Sequence, residues 1–121
     1  MSKVKNISGE MAKILDEYQA GLKGHLERVS SDTAKETAEK LKDVSPRRTG
    51  AYAEGWTARA TRTGWVTYNR DHYRLTHLLE HGHVLVSYGK TRGRVPAKPH
   101  IAPVAREMID EYMSRLKRYE R

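Results

Sequence analysis

ISGEMAKILDEYQAGLKGHLERVSSDTAKETAEKLKDV, residues 7–44, decides the fold of this chain. Apolar or small residues recur along it in steps of three and four that average about 3.67 residues, the repeat of a straight α-helix rather than a heptad seam. The members of this stripe are Met11, Leu15, Tyr18, Leu22, Leu26, Val29, Thr33, Thr37, Leu41 and Val44. A capping-box pattern at Thr33-x-x-Glu36 leaves open a break into two helices. We favour one long helix, straight or kinked, that ends before Pro46.

A helix of this length cannot hide its own apolar stripe in a small domain. At about 1.5 Å per residue, residues 7–44 span roughly 55 Å, whereas a chain of 121 residues supplies one modest core. The chain has no Phe, and its Tyr and Trp side chains suit half-buried and interface positions. The stripe therefore predicts a partner, and a neighbouring subunit is the first candidate.

Charge is distributed unevenly along the chain. The formal net charge is +8, and residues 46–100 hold ten basic and three acidic side chains, whereas residues 1–45 are balanced. A local basic surface can meet nucleic acid or an acidic protein face. Cysteine is absent, which excludes disulfide frameworks, thiolate zinc sites and cysteine nucleophiles. No signal peptide or membrane-spanning stretch is recognisable, so we expect a soluble protein made in the cytoplasm.

The segment after Pro46 changes from helical to strand-like texture. Residues 51–61 and 64–69 predict a hairpin, because larger residues alternate with small ones around a Thr63-Gly64 turn. DHYRLTHLLEHG, residues 71–82, predicts a short helix capped by Asp71 and closed by Gly82. The apolar face of that helix would consist of Leu75, Leu78 and Leu79.

The last third of the chain predicts a strand, a loop and a helix. HVLVSY, residues 83–88, is the strand, and GKTRGRVPAKP, residues 89–99, is an exposed basic loop because of its glycines and prolines. The helix runs from about Ala102 to Tyr119. Its apolar face would consist of Ile101, Val104, Ala105, Met108, Ile109, Tyr112, Leu116 and Tyr119.

These elements predict a single α+β domain over residues 1–121. A long N-terminal helix occupies 1–45, a small mostly antiparallel sheet with a short middle helix and a basic loop occupies 46–100, and a C-terminal amphipathic helix occupies 101–121.

HLLEH, residues 77–81, spells a metallopeptidase signature in which two histidines bind zinc and Glu80 acts as general base. Against that interpretation, the helix stops at Gly82, and a catalytic zinc needs a third protein ligand and a cleft. His100 is the remaining candidate ligand, but it follows Pro99 in what we predict to be an exposed stretch. No nucleophile elbow, P-loop or dinucleotide fingerprint occurs. We therefore expect no enzyme, no catalytic residue, no bound metal and no cofactor.

The basic middle segment is the stronger signal for a function. Its candidate partner-binding or nucleic-acid-binding residues are Arg47, Arg48, Lys90, Arg92, Arg94 and Lys98. Arg and Lys interleaved with Trp and Tyr can contact phosphates and stack on bases. A solvated basic face, or a loop that docks on an acidic protein, fits the same pattern.

Two segments in this order resemble the small head–tail joining, or tail-completion, proteins of long-tailed bacteriophages. The first is VSPRRTGAYAEGW (44–56). The second is LLEHGHV (78–84) followed by RVPAKPHIAPVAREM (94–108). The similarity covers roughly residues 40–110. This chain departs from the family where it has His81 and His100 instead of the more usual Phe, and in its unusually basic TRGR loop.

The resemblance implies a structural virion protein of the neck, located between the head connector or stopper and the tail terminator or tail tube. It implies a homo-oligomeric ring, possible contact with genomic DNA in the channel, no membrane and no catalysis. It also assigns structural roles to Thr49 and Gly50 in a turn, and to Glu80 and Gly82 at a helix end. Pro96, Pro99, His100 and Pro103 would set the loop that begins the last helix.

Overall fold

The computed structural model describes residues 2–47, 49–87 and 89–119, with side chains for 7–47, 49–82, 89–90 and 93–119. It has the predicted α+β architecture. The elements in chain order are α1 (Ser2–Val44), α2 (Ala51–Glu54), β1 (Trp56–Ala60), β2 (Trp65–Asn69), α3 (Tyr73–His81), β3 (His83–Ser87), β4 (Lys90–Val95) and α4 (Ile101–Lys117).

Helix α1 is continuous, so the single-helix prediction is confirmed over the two-helix alternative. Thr33 does not cap a second helix but lies buried inside the first, where its hydroxyl accepts a hydrogen bond from Arg115 Nη1 at 3.2 Å. The helix ends as predicted before Pro46, where the backbone N–H of Ser45 still donates to the Leu41 carbonyl. Its 43 residues make a rod about 65 Å long.

Residues 51–54 were expected to begin a strand, and this prediction is wrong. They form the single helical turn α2, in which the Glu54 N–H donates to the Gly50 carbonyl. Gly50, at φ 88°, reverses the chain just before this turn. The helical turn is favoured because it buries Tyr52 and Ala53 together. The sequence pattern was ambiguous, since alternating large and small residues fit either a strand or a short helical turn.

The first hairpin pairs β1 with β2 in antiparallel register, with Trp56 opposite Asn69 and Ala60 opposite Trp65. Its turn closes where the Thr61 N–H donates to the Gly64 carbonyl at 2.7 Å. One face of the hairpin lies on α1, and the Thr67 hydroxyl donates to the Ala34 carbonyl at 2.8 Å.

Helix α3 begins later than predicted, and Asp71 does not cap it. His72 holds the N-cap position without a side-chain cap, while Asp71 pairs with the neighbouring Arg70 at 3.3 Å. The predicted apolar face is also only partly correct. Leu79 packs against the core, whereas Leu75 and Leu78 are exposed large hydrophobics.

The predicted exposed loop at 89–99 is wrong for residues 90–95, which form strand β4 and pair with β3 in a second hairpin. Glycine and proline content suggested a loop, but Gly89 and Gly93 adopt the positive φ angles that a tight turn and an irregular ladder require. Each sheet has two strands. Tyr88, the last residue of the predicted third strand, lies outside the described residues.

The core lies where α2 and β1 meet the C-terminal half of α1 and the first half of α4. Its buried members are Ala38, Leu41, Tyr52, Trp56, Val104 and Met108, with Leu79 and Ile101 packed against them. Helix α4 runs antiparallel along α1, since Glu107 pairs with Lys40 and Tyr119 meets Tyr18. Ile109, expected on the inward face of α4, is instead 61% exposed.

Candidate functional site

Glu80 binds the beginning of α4. Its Oε1 accepts hydrogen bonds from the backbone N–H groups of His100 at 2.8 Å and Ile101 at 2.9 Å, and its Oε2 accepts one from Ala102 at 2.9 Å. A helix leaves its first N–H groups without internal partners, and a carboxylate there also complements the helix dipole. Glu80 therefore joins the end of α3 to the start of α4 across about twenty residues of sequence.

Two opposing effects act on the pKa of Glu80. Burial alone would raise the pKa, because a carboxylate loses hydration. The three backbone hydrogen bonds, with a smaller electrostatic contribution from the His100 ring when it is protonated, outweigh burial and hold the pKa of Glu80 below its ordinary value. The ionised form is thus the one that this site favours.

His100 is buried, at 3% exposure, which corrects the prediction that it lies in an exposed stretch. Its Nδ1 donates to the Lys98 carbonyl at 2.8 Å and lies 3.2 Å from Glu80 Oε1. Its Nε2 and the Tyr52 hydroxyl share a hydrogen bond of 2.8 Å. Burial, with a smaller contribution from the Glu80 charge, raises the pKa of Tyr52 to about 12.

This cluster extends into the core through groups that the sequence did not identify. Trp56 Nε1 donates to the Ser45 hydroxyl at 2.8 Å. The buried Asn69 amide donates to the Tyr52 carbonyl at 2.7 Å, and its oxygen accepts from the His72 N–H at 2.8 Å. Only the polarity of Asn69 at a strand end hinted at these contacts, since the paired groups are distant in sequence.

The HLLEH segment is thus resolved into two separate faces of α3. Glu80 faces the amides of α4, while His77 and His81 are exposed and their ring centroids lie 4.8 Å apart. Within the described part of the chain, no three His, Cys, Asp or Glu side chains converge in a way that could hold a metal ion.

The predicted structural residues lie around this cluster. Thr49 Oγ1 accepts from the Ala51 N–H at 3.3 Å in the turn where Gly50 has positive φ. Gly82 ends α3 at φ 74°, and a Cβ there would lie 2.7 Å from the Val95 carbonyl oxygen. Only glycine fits that position without displacing backbone.

The prolines of the motif belong to the same connection. Pro96 and Pro99 lie in the exposed link between β4 and α4, which the Lys98 N–H ties to the Leu79 carbonyl at 2.7 Å. Pro103 lies in the first turn of α4, where its missing N–H would have had no intrahelical partner.

The predicted basic residues occupy different places. Lys90 and Arg94 lie exposed on β4, and Arg94 Nη2 donates to the His81 carbonyl at 3.2 Å. Arg47 donates to the Lys42 carbonyl at 2.8 Å and pairs with Glu54 at 3.6 Å. Arg48 and the side chain of Arg92 lie outside the described residues.

Two of these basic residues are brought together by the fold. Arg47 and Lys98 line one cleft of about 400 Å³, with His72 also on its wall. Its apolar lining includes Leu75 and Leu79. The cleft therefore combines cationic groups with apolar side chains, which suits an acidic protein segment or a phosphate-bearing ligand.

The N-terminal half of α1 carries an uncovered apolar surface, here called the bare stripe. Every residue from 7 to 23 is exposed. The bare stripe consists of seven side chains that are 40–58% exposed: Ile7, Met11, Ile14, Leu15, Tyr18, Leu22 and Leu26. Its first four members, Ile7, Met11, Ile14 and Leu15, lie beyond the end of α4 at Lys117 and beyond the contact between Tyr18 and Tyr119.

A groove of about 650 Å³ lies beside the core, between α1, the first hairpin and α4. We call it the lateral groove. Its apolar lining includes Leu26, Ala34, Trp65, Met108, Ile109 and Tyr112. The charged residues on its rim are Lys23, Glu27 and Arg62, and Lys35 lies 5.3 Å from the centroid of the Trp65 ring.

The described residues include no helix with both the length and the apolar character needed to cross a bilayer.

Comparison with known proteins adds no assignment to these surfaces. No protein-family model, no curated protein and no solved structure matches the chain. The bare stripe, the lateral groove, the basic cleft and the Glu80 cluster are therefore the observations from which a function can be argued.

Proposed function

We propose that this chain is a structural protein of the bacteriophage neck that assembles into a ring and helps to join the tail to the DNA-filled head. The observation that carries the proposal is the bare stripe. Seven large apolar side chains on one helix face form a surface larger than scattered exposed residues require, and such patches mark protein–protein contacts.

The residues behind the resemblance to head–tail joining proteins support the same function. Tyr52 and Trp56 come from the first resembling segment, and Glu80 and His100 come from the second. These four side chains belong to one buried cluster. These residues build the core of the fold, so the function is argued from the uncovered surfaces beside them.

The basic cleft supplies the second contact of this proposal. Arg47 and Lys98 would meet an acidic surface on the head connector or on the tail terminator, and no catalytic step is required. A basic cleft of this kind also increases the rate of encounter with an acidic partner.

The test is a phage that carries Leu15→Asp in this chain. We expect filled heads and separate tails to accumulate, counted by electron microscopy, because the charge disrupts the bare stripe. Lys13→Ala, an exposed position off the stripe, is the matched control and should assemble normally. Intact particles at normal yield with Leu15→Asp, or particles that lack the chain at the head–tail junction, would contradict the proposal.

A second candidate function, nucleic-acid binding, is favoured by the first hairpin. Arg59 lies 5.2 Å from the centroid of the Tyr68 ring, and Arg and Tyr side chains together can contact phosphate and stack on a base. Binding of DNA by the purified chain that falls steeply with salt, and that Arg59→Ala weakens, would favour this function. Salt-independent or undetectable binding would exclude it.

A further inference from the structure

Two apolar surfaces on this molecule are largely uncovered by the described residues, and they do not coincide. The first is the part of the bare stripe on residues 7–18, here called the overhang, which extends beyond the end of α4 and is touched by Tyr119 only at Tyr18 among the contacts seen. The second is the lateral groove, where Ile109 is 61% exposed. Each surface has the character of one half of an interface.

The overhang cannot reach the lateral groove of its own chain. Both lie on α1, which is one uninterrupted helix, and α1 itself forms a wall of the groove from Lys23 to Thr37. The centre of the overhang is roughly 25 Å along the helix axis from the centre of that wall, at 1.5 Å per residue. A contact between these two surfaces therefore requires two molecules.

We propose that the overhang of one copy docks in the lateral groove of a second copy, so that copies join head to tail. The lengths agree, since Ile7 to Tyr18 spans about 17 Å and the groove wall on α1 spans about 21 Å. An amphipathic helix that lays spaced apolar side chains into an apolar groove is a common mode of recognition. Trp65, Ile109 and Tyr112 would receive those side chains.

Charge favours this occupant over a second overhang. Residues 7–18 carry three acidic residues, Glu10, Asp16 and Glu17, and one basic residue, Lys13. The charged residues that line the groove are two basic ones, Lys23 and Arg62, and one acidic one, Glu27. The acidic overhang and the basic groove are therefore complementary in charge.

Pairing of two overhangs lacks this advantage. Glu10 and Glu17 are seven residues apart and border the same edge of the stripe. An antiparallel pair of overhangs would bring that acidic edge against its own copy. The groove of a second chain is therefore the better partner for the overhang.

The contact joins two different surfaces, so it repeats from copy to copy and gives either a closed ring or an open filament. This inference rests on the proposed function in one respect, because it takes the partner of the bare stripe to be another copy of the chain in a neck ring. A chain that stays monomeric yet is needed for head–tail joining would overturn the inference alone. A chain that forms head-to-tail assemblies but is absent from particles would overturn the proposed function alone.

Cysteine pairing tests the contact directly, because the chain has no native cysteine. We expect a mixture of Leu15→Cys and Ile109→Cys chains to form a disulfide-linked dimer under mild oxidation, scored on a non-reducing gel. Each variant alone should give at least about 10-fold less dimer, because neither holds both partners. Dimers of Leu15→Cys alone would show overhang–overhang pairing and overturn the proposal.

Charge variants provide the second measurement. Leu15→Asp and Ile109→Asp should each weaken self-association at least about 100-fold in sedimentation equilibrium, because each buries a carboxylate in an apolar contact. Mixed together, the two variants should form a 1:1 dimer that does not grow. The intact overhang of the Ile109→Asp chain can dock in the intact groove of the Leu15→Asp chain, and no second intact pair remains.

Asp16→Glu, which keeps the charge of the overhang and lies on the opposite side of the helix from the stripe, is the matched control and should associate normally. Unchanged association of Ile109→Asp, or a wild-type chain that stays monomeric up to about 1 mM, would overturn the proposal. Circular dichroism confirms folding of each variant, and the cysteine experiment does not depend on the charged side chains.

Discussion

The two halves of α1 share one periodic pattern but have opposite surroundings. In the C-terminal half, Leu41 is 3% exposed and packs with Trp56 and Met108. In the N-terminal half, Leu15 is 57% exposed on the same kind of stripe. The apolar periodicity of a helix therefore indicates how much apolar surface must be buried. Which part of that surface is buried within the chain depends on where the other elements pack.

The packed half also explains why the bare half is helical. Starting a helix is costly, but extending one costs little per residue once the first turns exist. The contacts of α1 with α4 and the first hairpin supply that start, as the bonds from Thr67 and Arg115 to α1 show. The overhang is then a low-cost extension of a helix anchored elsewhere, and its stability is local.

A pair of Leu→Ala variants is the most direct way to break this comparison. Leu41→Ala should lower the free energy of unfolding by about 3 kcal/mol, because it removes buried apolar volume and leaves a cavity. Leu15→Ala should change it by less than about 0.5 kcal/mol at low protein concentration, since Ala keeps the helix and the site is exposed. Chemical denaturation followed by Trp fluorescence measures both values. Equal losses would mean that the bare stripe is covered within the chain.

The packed half also depends on how firmly α4 is held against it. Glu80→Ala should lower the free energy of unfolding by about 2 kcal/mol, because three backbone N–H groups lose a charged acceptor. Glu80→Gln should cost less, since its amide oxygen still accepts. The exposed Glu107→Ala serves as the control and should have little effect. An unchanged free energy of unfolding in Glu80→Ala would show that water satisfies those N–H groups equally well.

Much of this architecture could be predicted from local sequence. The periodicity predicted a helix over residues 7–44 of α1, Pro46 marked its end, and Gly82 marked the end of α3, because each signal acts within a few residues. The failures involve ambiguous local signals. Residues 51–54 alternate in size like a strand yet form a helical turn, and residues 90–95 contain glycine and charge yet pair as a strand.

The candidate site was predictable only in part, for a different reason. Glu80 and His100 were both singled out in the sequence. Glu80 was a candidate general base or helix-end residue, and His100 was a candidate zinc ligand or a residue of the loop before the last helix. In the structure the Glu80 carboxylate accepts hydrogen bonds from backbone N–H groups about twenty residues away. No spacing in the sequence shows that the side chain of Glu80 points toward those groups. That part of the α1 stripe needs a partner was inferred correctly, because an excess of apolar residues follows from composition and period alone. Which part is uncovered was not predicted, because that depends on where α4 packs.

Acid should affect the packed half of the molecule through Glu80. The folded-state pKa of Glu80 lies below the ordinary value of 4.5, so the stabilisation it provides is complete above that value. It is lost as the pH falls from about 4.5 through the folded-state pKa, because the unfolded chain binds the proton first. Glu80→Gln should therefore flatten the dependence of unfolding free energy on pH in this window. An identical slope in both proteins would assign acid sensitivity to other carboxylates.

Two glycines of α1 give the smallest effect and the finest comparison of the two halves. A Cβ at Gly9 meets nothing within 4 Å, whereas a Cβ at Gly21 would lie 2.5 Å from the Tyr119 hydroxyl oxygen. Gly9→Ala should stabilise the overhang by about 1 kcal/mol through helix propensity alone. Gly21→Ala should gain less, because Tyr119 must rotate away from Tyr18 and His25.

Hydrogen exchange of the amides of residues 7–18 reports both changes. Slower exchange in Gly9→Ala with little change in Gly21→Ala is the expected result, because the helix stands free at Gly9 and touches the C-terminal segment at Gly21. Equal slowing in both would mean that Tyr119 does not hold α1 at that point, and the boundary between the two halves would then lie nearer to Val29.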